Sequence, residues 1–251
     1  MKKIRLILII IIFAFVSCND DFMDRFPETE IGKENFFNTE TDLKIYLYSL
    51  YDFPGISSIM GDWTDDPFGR MYTVDAYLPT DNCANTNSQE LKSMMLSGNV
   101  SSANIERGWE WEKLRSINYF LENFSKADIT EEKLNHYEGI ARFFRARFYM
   151  FKVKRFSNVP WYDQLIGIDD EQALSKPQDS RAFVVNKIFE DLDFATDHVM
   201  EEIDGQPIPS GEVNPWFIKA YEARFALNEG TYRKYHSELN LESTADEFIK
   251  R

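Results

Sequence analysis

Apolar residues recur along most of this chain at alternating spacings of four and three, the period of one helix face. Leu43, Leu47 and Leu50 form the first such stripe, with Thr39 placed to cap it and Asp42 at the third position behind the cap. Pro54-Gly55 ends that helix. Leu114, Ile117, Leu121 and Phe124 mark a second helix, and Tyr137, Ala141, Phe144, Phe148 and Phe151 a third. Val185, Ile188, Leu192, Ala195 and Val199 mark a fourth, opened by Ser180. A fifth runs from about Pro215, a good first-turn residue, to Glu229. Its Ala220, Ala223 and Ala226 would let a neighbouring backbone come close. Each helix carries an apolar stripe that must be buried against another element. No alternating run is long enough to predict a strand, so the expected fold class is all-α.

Two stretches break the helical rhythm. Residues 56–104 show little periodicity and many Asp, Asn, Ser and Thr, which reads as a long irregular loop, and loops of this length are usually functional or disordered. Its rings, Trp63, Phe68, Tyr72 and Tyr77, argue against plain disorder. The second stretch, VPWYDQLIGIDDEQALSKP, connects the third and fourth helices and holds Pro160 and Pro177. At the end, Ser243 and Thr244 open another helix start, and Arg251 follows eight residues after Ser243. A start that short offers little face to pack, so the expectation is a fold that continues past this point.

The N-terminus has a different pattern. Lys2, Lys3 and Arg5 precede an unbroken apolar run from Leu6 to Val16, 11 residues long. A helical span of a bilayer needs about 20 residues, so the run reads as a secretory signal. It ends in Phe15-Val16-Ser17-Cys18, which resembles the lipobox of bacterial lipoproteins, with Phe15 where Leu is usual. The resemblance implies that Cys18 is acylated and becomes the first mature residue. The acidic stretch after it, Asn19 to Gly32, resembles the surface-export signal of Bacteroidetes lipoproteins and also reads as a solvated tether. The expected division is a signal over 1–17, a lipid-anchored tether over 18–38 and a helical domain over 39–251.

Composition sharpens this. The 251 residues hold 42 Asp and Glu against 28 Lys and Arg, a net charge of −14, which excludes a backbone-gripping nucleic-acid binder. Without residues 1–17 the balance becomes 25 basic against 42 acidic, or −17. The chain has 2 cysteines. With Cys18 lipidated only Cys83 keeps a thiol, so no internal disulfide is expected. Phe, Trp and Tyr together supply 15% of the chain, material for a packed core.

Several segments, in order, resemble the SusD/RagB family of nutrient-binding outer-membrane lipoproteins. They are the lipobox with CNDDFMDRFPE and FFNTETDL, then LRSINYFLEN, EGIARFFRARFYMFKVKRFSNVPW, VVNKIFEDLDFAT and the fifth helix followed by EGTYRKYH. Ile140 departs from the family's usual Glu. The resemblance implies tetratricopeptide-like helix pairs with long irregular loops, although no clean repeat of about 34 residues is visible. It also implies the N-terminal portion of a longer fold. The implied role is a cell-surface, outer-membrane receptor that captures oligosaccharide, or less often peptide, and delivers it to a TonB-dependent SusC-like transporter. The alternative is a helical protein-interaction scaffold without a glycan site.

Candidate chemistry points the same way. His136, His198 and His236 share no metal-ligand spacing, Cys83 has no CxxC partner, and no GxSxG, P-loop or GxGxxG motif is present. No catalytic residue, metal or cofactor is therefore expected, and the protein reads as a binder, not an enzyme. Asp65-Asp66 and Asp169-Asp170 read as solvated carboxylates. Arg142, Arg145 and Arg147 could hold an anion but are better read as structural ion-pair partners. Saccharide recognition needs flat apolar faces and short polar groups. Trp63, Tyr72, Tyr77, Asp81, Asn82 and Trp109 are the candidates, against the plainer role of pinning the loop to the helices.

Overall fold

A computed structural model describes residues 36–51, 109, 111–167 and 169–251. Helix α1 spans Glu40–Leu50, α2 Glu112–Asn123 and α3 Glu131–Phe156. After them come a one-turn α4 at Glu171–Leu174, α5 at Arg181–His198, α6 at Pro215–Tyr235 and a short α7 at Ala245–Ile249. Between α5 and α6 a small antiparallel hairpin pairs Glu202–Ile203 with Gln206–Pro207. The expected all-α class holds, with helices joined by irregular connections; the hairpin, α4 and the extra length of α6 beyond Glu229 are additions.

Caps start the helices where the sequence places them. The Thr39 hydroxyl accepts the Asp42 N–H while the Asp42 carboxylate accepts the Thr39 N–H, a reciprocal capping box. Ser180 and Asn214 accept from the third helical N–H of α5 and α6. Packing begins ahead of the cap, within the span read from sequence as tether. Phe37 is fully buried, with its ring 5.1 Å from Tyr46 and 5.9 Å from Phe120.

Helix α3 is the axis of the molecule. It packs most extensively on α5 and also meets α1 and α2. A single stripe does not describe it, because almost every residue from His136 to Val153 is buried, Arg147 and Lys152 included. Arg145 forms a two-point salt bridge to Asp191 of α5, with Nε–Oδ2 and Nη2–Oδ1 both at 2.7 Å. Arg142 pairs with Glu138 at 2.7 Å and lies over Phe194, while Arg147 lies over the rings of Phe151 and Tyr221. The arginine run is therefore built into the scaffold.

A second buried charge cluster joins four elements. Glu229 of α6 is fully buried and accepts from Arg181 at 2.7 Å and from Arg233 at 2.8 Å. Arg181 also donates to the Val153 carbonyl at the end of α3, and Arg233 to the Thr244 hydroxyl before α7. Contrary to the expectation of a start too short to pack, α7 docks on α6: Ala245 is buried and Phe248 lies 5.3 Å from Phe189. The close approach occurs at Gly230, and not along the alanines, of which Ala220 and Ala223 are exposed.

Candidate functional site

The connection between α3 and α5 is held against α3 by its own side chains. Trp161 stacks on Tyr149 with centroids 4.2 Å apart, and the Tyr149 hydroxyl accepts the Tyr162 N–H at 2.6 Å. Asp179 bridges back to Val159 through the main chain and accepts the Trp161 N–H at 2.7 Å. Lys176 donates to the Trp161 carbonyl and pairs with Asp179 at 2.8 Å. These contacts turn an apparently free connection into a fixed wall.

The opposite wall is the start of α2. Between the two walls lies a cleft of about 710 Å³, inside the range of roughly 300–1,000 Å³ usual for small-ligand sites. Trp109, Trp111 and Tyr162 supply its aromatic surface. Trp109 is 40% exposed and meets Trp111 edge to face at 5.2 Å and Phe156 at 4.7 Å. Trp111 in turn stands 5.6 Å from Tyr162. The cation of Lys152 sits 4.9 Å from the Trp111 ring, a cation–π contact that braces the indole.

Polar groups converge on the same space. Asn118, almost wholly buried, donates to the carbonyls of Tyr162 and Gln164, each at 3.1 Å, and its Oδ1 has no partner among the described residues. Arg115 donates from Nη1 to the Ile166 carbonyl. Burial pushes the Tyr162 phenol up against the pull of Lys176, so it remains a neutral donor to the Ala173 carbonyl at 3.0 Å. Gln164 and Gln178 complete the rim.

Of the residues nominated from sequence, Trp109 lies in this cleft. Trp63, Tyr72, Tyr77, Asp81 and Asn82 lie outside the described residues, as does Cys18. Trp111, Asn118 and Tyr162 were missed. The signal for Trp111 was present in Gly-Trp-Glu-Trp-Glu, where two indoles stand two residues apart just before a helix. The histidines are engaged elsewhere: His136 Nδ1 accepts the Met200 N–H at 3.0 Å, His198 contacts the Phe194 carbonyl, and His236 contacts Glu238. No group of three or more His, Cys, Asp or Glu among the described residues is arranged to hold a metal ion.

No family model matches the chain. It is similar to two curated SusD-like proteins of Formosa agariphila, P25 at 21% identity over 91% of this chain and P2 at 24% over 96%. The chain spans less than half of those relatives, 43% and 46% of their lengths. Among solved structures, a SusD-like protein of Bacteroides fragilis aligns with a TM-score of 0.60 at 24% identity. That alignment covers 90% of this chain and 41% of the other. A SusD-like carbohydrate binding protein of the same species also gives 0.60, at 21% identity, covering 86% of this chain and 41% of its own.

Proposed function

Starting from a chain that shares the SusD-like fold and has SusD-like relatives along most of its length, we propose that it is a surface lipoprotein that binds oligosaccharide and passes it to a SusC-like transporter. The observation that carries the binding step is the cleft itself. Three aromatic rings bound it, and polar residues that include Asn118, Gln164 and Gln178 line it. A pyranose offers an apolar face for the rings and hydroxyls for the polar rim. The walls are set by hydrogen bonds and salt bridges within the protein, so binding needs little reordering, and reordering is what most erodes affinity.

The likeness to a SusD-like carbohydrate binding protein of Bacteroides fragilis supports the ligand class. The Phe15–Cys18 lipobox supports anchoring through acylated Cys18, and the acidic residues after it support an outward-facing position on the outer membrane. The transporter step rests on the resemblance of the segments quoted above. Anchoring beside a transporter would raise the local ligand concentration at its mouth without any chemical step, so the protein acts by binding and not by catalysis.

Calorimetric titration of the protein against an oligosaccharide panel tests the binding step. Trp111→Ala is expected to weaken the best binder by about tenfold or more, because it removes the central ring of the wall. Heat with no saccharide, alongside a response to peptides, would transfer the reading to the peptide-binding scaffold. Co-purification of the lipidated protein with an outer-membrane barrel tests the delivery step separately.

A further inference from the structure

Arg115 is an exposed cation at the edge of the cleft. In a chain of net charge −14, it lines the cleft yet forms no ion pair with any described carboxylate. The other cations nearby are committed: Lys176 pairs with Asp179 at 2.8 Å, and Lys152 lies over the rings of Phe148 and Trp111. Arg115 uses Nη1 to hold the Ile166 carbonyl, and its Nε and Nη2 have no partner among the described residues. Those two donors form the edge that takes a carboxylate through two parallel hydrogen bonds.

Two further features point in the same direction. Trp111, at the N-cap of α2, makes no side-chain cap bond, so the first-turn N–H groups of this 12-residue helix lack that partner beside the cleft. Asn118, one turn deeper, is a lining residue whose buried Oδ1 has no partner among the described residues, and Gln164 and Gln178 supply polar groups at the rim that can meet hydroxyls. Glu112 is the opposing charge on the cleft wall, and its carboxylate is not paired with Arg115. A ligand that satisfies all of these groups carries a ring face, hydroxyls and one carboxylate.

We propose that the cleft selects an acidic saccharide, with a uronic-acid carboxylate on the Nε/Nη2 edge of Arg115, a ring face against the Trp109–Trp111 wall and hydroxyls at the Gln164–Gln178 rim. This assignment rests on the reading of the cleft as a saccharide site. It differs from that reading in requiring charge.

Calorimetry with matched pairs separates the two. Uronic-acid oligomers and their carboxyl-reduced counterparts differ only in the acid group. The acid form is expected to bind about tenfold tighter or more, the range of a charge-assisted hydrogen bond. Raising sodium chloride should weaken the acid form and leave the reduced form alone. Arg115→Gln should collapse the ratio between the pair to about threefold or less, with Arg115→Lys intermediate because it keeps the charge and loses the fork. Equal affinity within every pair overturns the charge selectivity and leaves saccharide binding standing. Tighter binding of sulfated neutral oligomers than of uronates overturns the carboxylate assignment. Binding of an oligoglutamate peptide with no saccharide response overturns both readings together.

Discussion

The Nδ2 of Asn118 lies 3.1 Å from the main-chain oxygen of Tyr162 and at the same distance from that of Gln164, joining α2 to the connection across the cleft floor. The side chain is 3% exposed, so both bonds are made away from water. Asn118→Ala removes both bonds, leaving the Tyr162 carbonyl only the long contact from the Tyr149 hydroxyl and the Gln164 carbonyl without a partner among the described residues. We expect a loss of about 1–3 kcal/mol in urea denaturation and a weaker saccharide response, because the wall that carries Tyr162 then loses its bonds to α2. Unchanged affinity with the stability loss present would take Asn118 out of the site and leave it a structural pin.

Glu229 carries more of the fold than its sequence position suggests. It is the shared anion for Arg181 and Arg233, all three being at most 3% exposed. Removing one partner of a buried ion cluster strands the remaining charges, at about 3–5 kcal/mol. Glu229→Ala should therefore lower the urea midpoint far more than Glu190→Ala, whose carboxylate makes an exposed i,i+3 pair with Lys187 worth about 0–1 kcal/mol. Equal effects of the two substitutions would show that the cluster is not a clamp.

Acid should act on the protein in two separate windows. Burial lowers His136 from 6.5 to about 4, and a neutral Nδ1 is needed to accept the Met200 N–H. The unfolded chain takes up that proton first, so stability falls as pH drops from about 6.5 towards 4, by up to about 3 kcal/mol. Burial works against the Glu40 charge, but bonds from Tyr137, Lys133 and Lys44 outweigh it and hold the group at about 2. Its contribution is complete above 4.5 and disappears as pH falls through 2. His136→Asn, which keeps an acceptor and cannot titrate, should flatten the upper window only, and Glu40→Gln the lower only. Thermal melts from pH 7 to 2 read both. A profile unaltered by either substitution would contradict the assignment.

Periodicity made the helices legible because a helix packed on one side leaves an alternating record in its sequence. Leu43, Leu47 and Leu50 are buried as their spacing requires, and Thr39 caps α1 with Asp42 in reply. The record fails where a helix is enclosed on all sides. On α3, His136, Arg145 and Lys152 read as surface residues yet are buried, their polar ends met by an N–H, a carboxylate and aromatic rings. Glu229 was hidden in the same way, since charge alone does not reveal the partner that permits its burial. The cleft was half visible. Trp109 stood out as an indole, whereas Tyr162 gains its role from contacts to residues 11 and more positions away, in a stretch with no period to read.

Two opposing effects meet at Gly230, and their sizes decide the outcome. Alanine is the better helix former by about 1 kcal/mol, so Gly230→Ala would stabilise a solvent-facing α6. Here a Cβ would fall 2.5 Å from Ile249 Cγ1 and 2.9 Å from the Ala245 carbonyl oxygen. The second contact is backbone and cannot rotate aside, so α7 must move as a unit, taking Phe248 from Phe189 and Thr244 from Arg233. Overpacking of this kind is destabilising by about 1–3 kcal/mol, which outweighs the propensity gain. Gly139 supplies the contrast. Its nearest neighbour is the Val199 side chain at 2.8 Å, with backbone no closer than 3.4 Å, so Gly139→Ala should be the milder change. Urea denaturation of the two variants ranks them. A Gly230→Ala protein as stable as the parent would mean that α7 does not dock on α6 in solution.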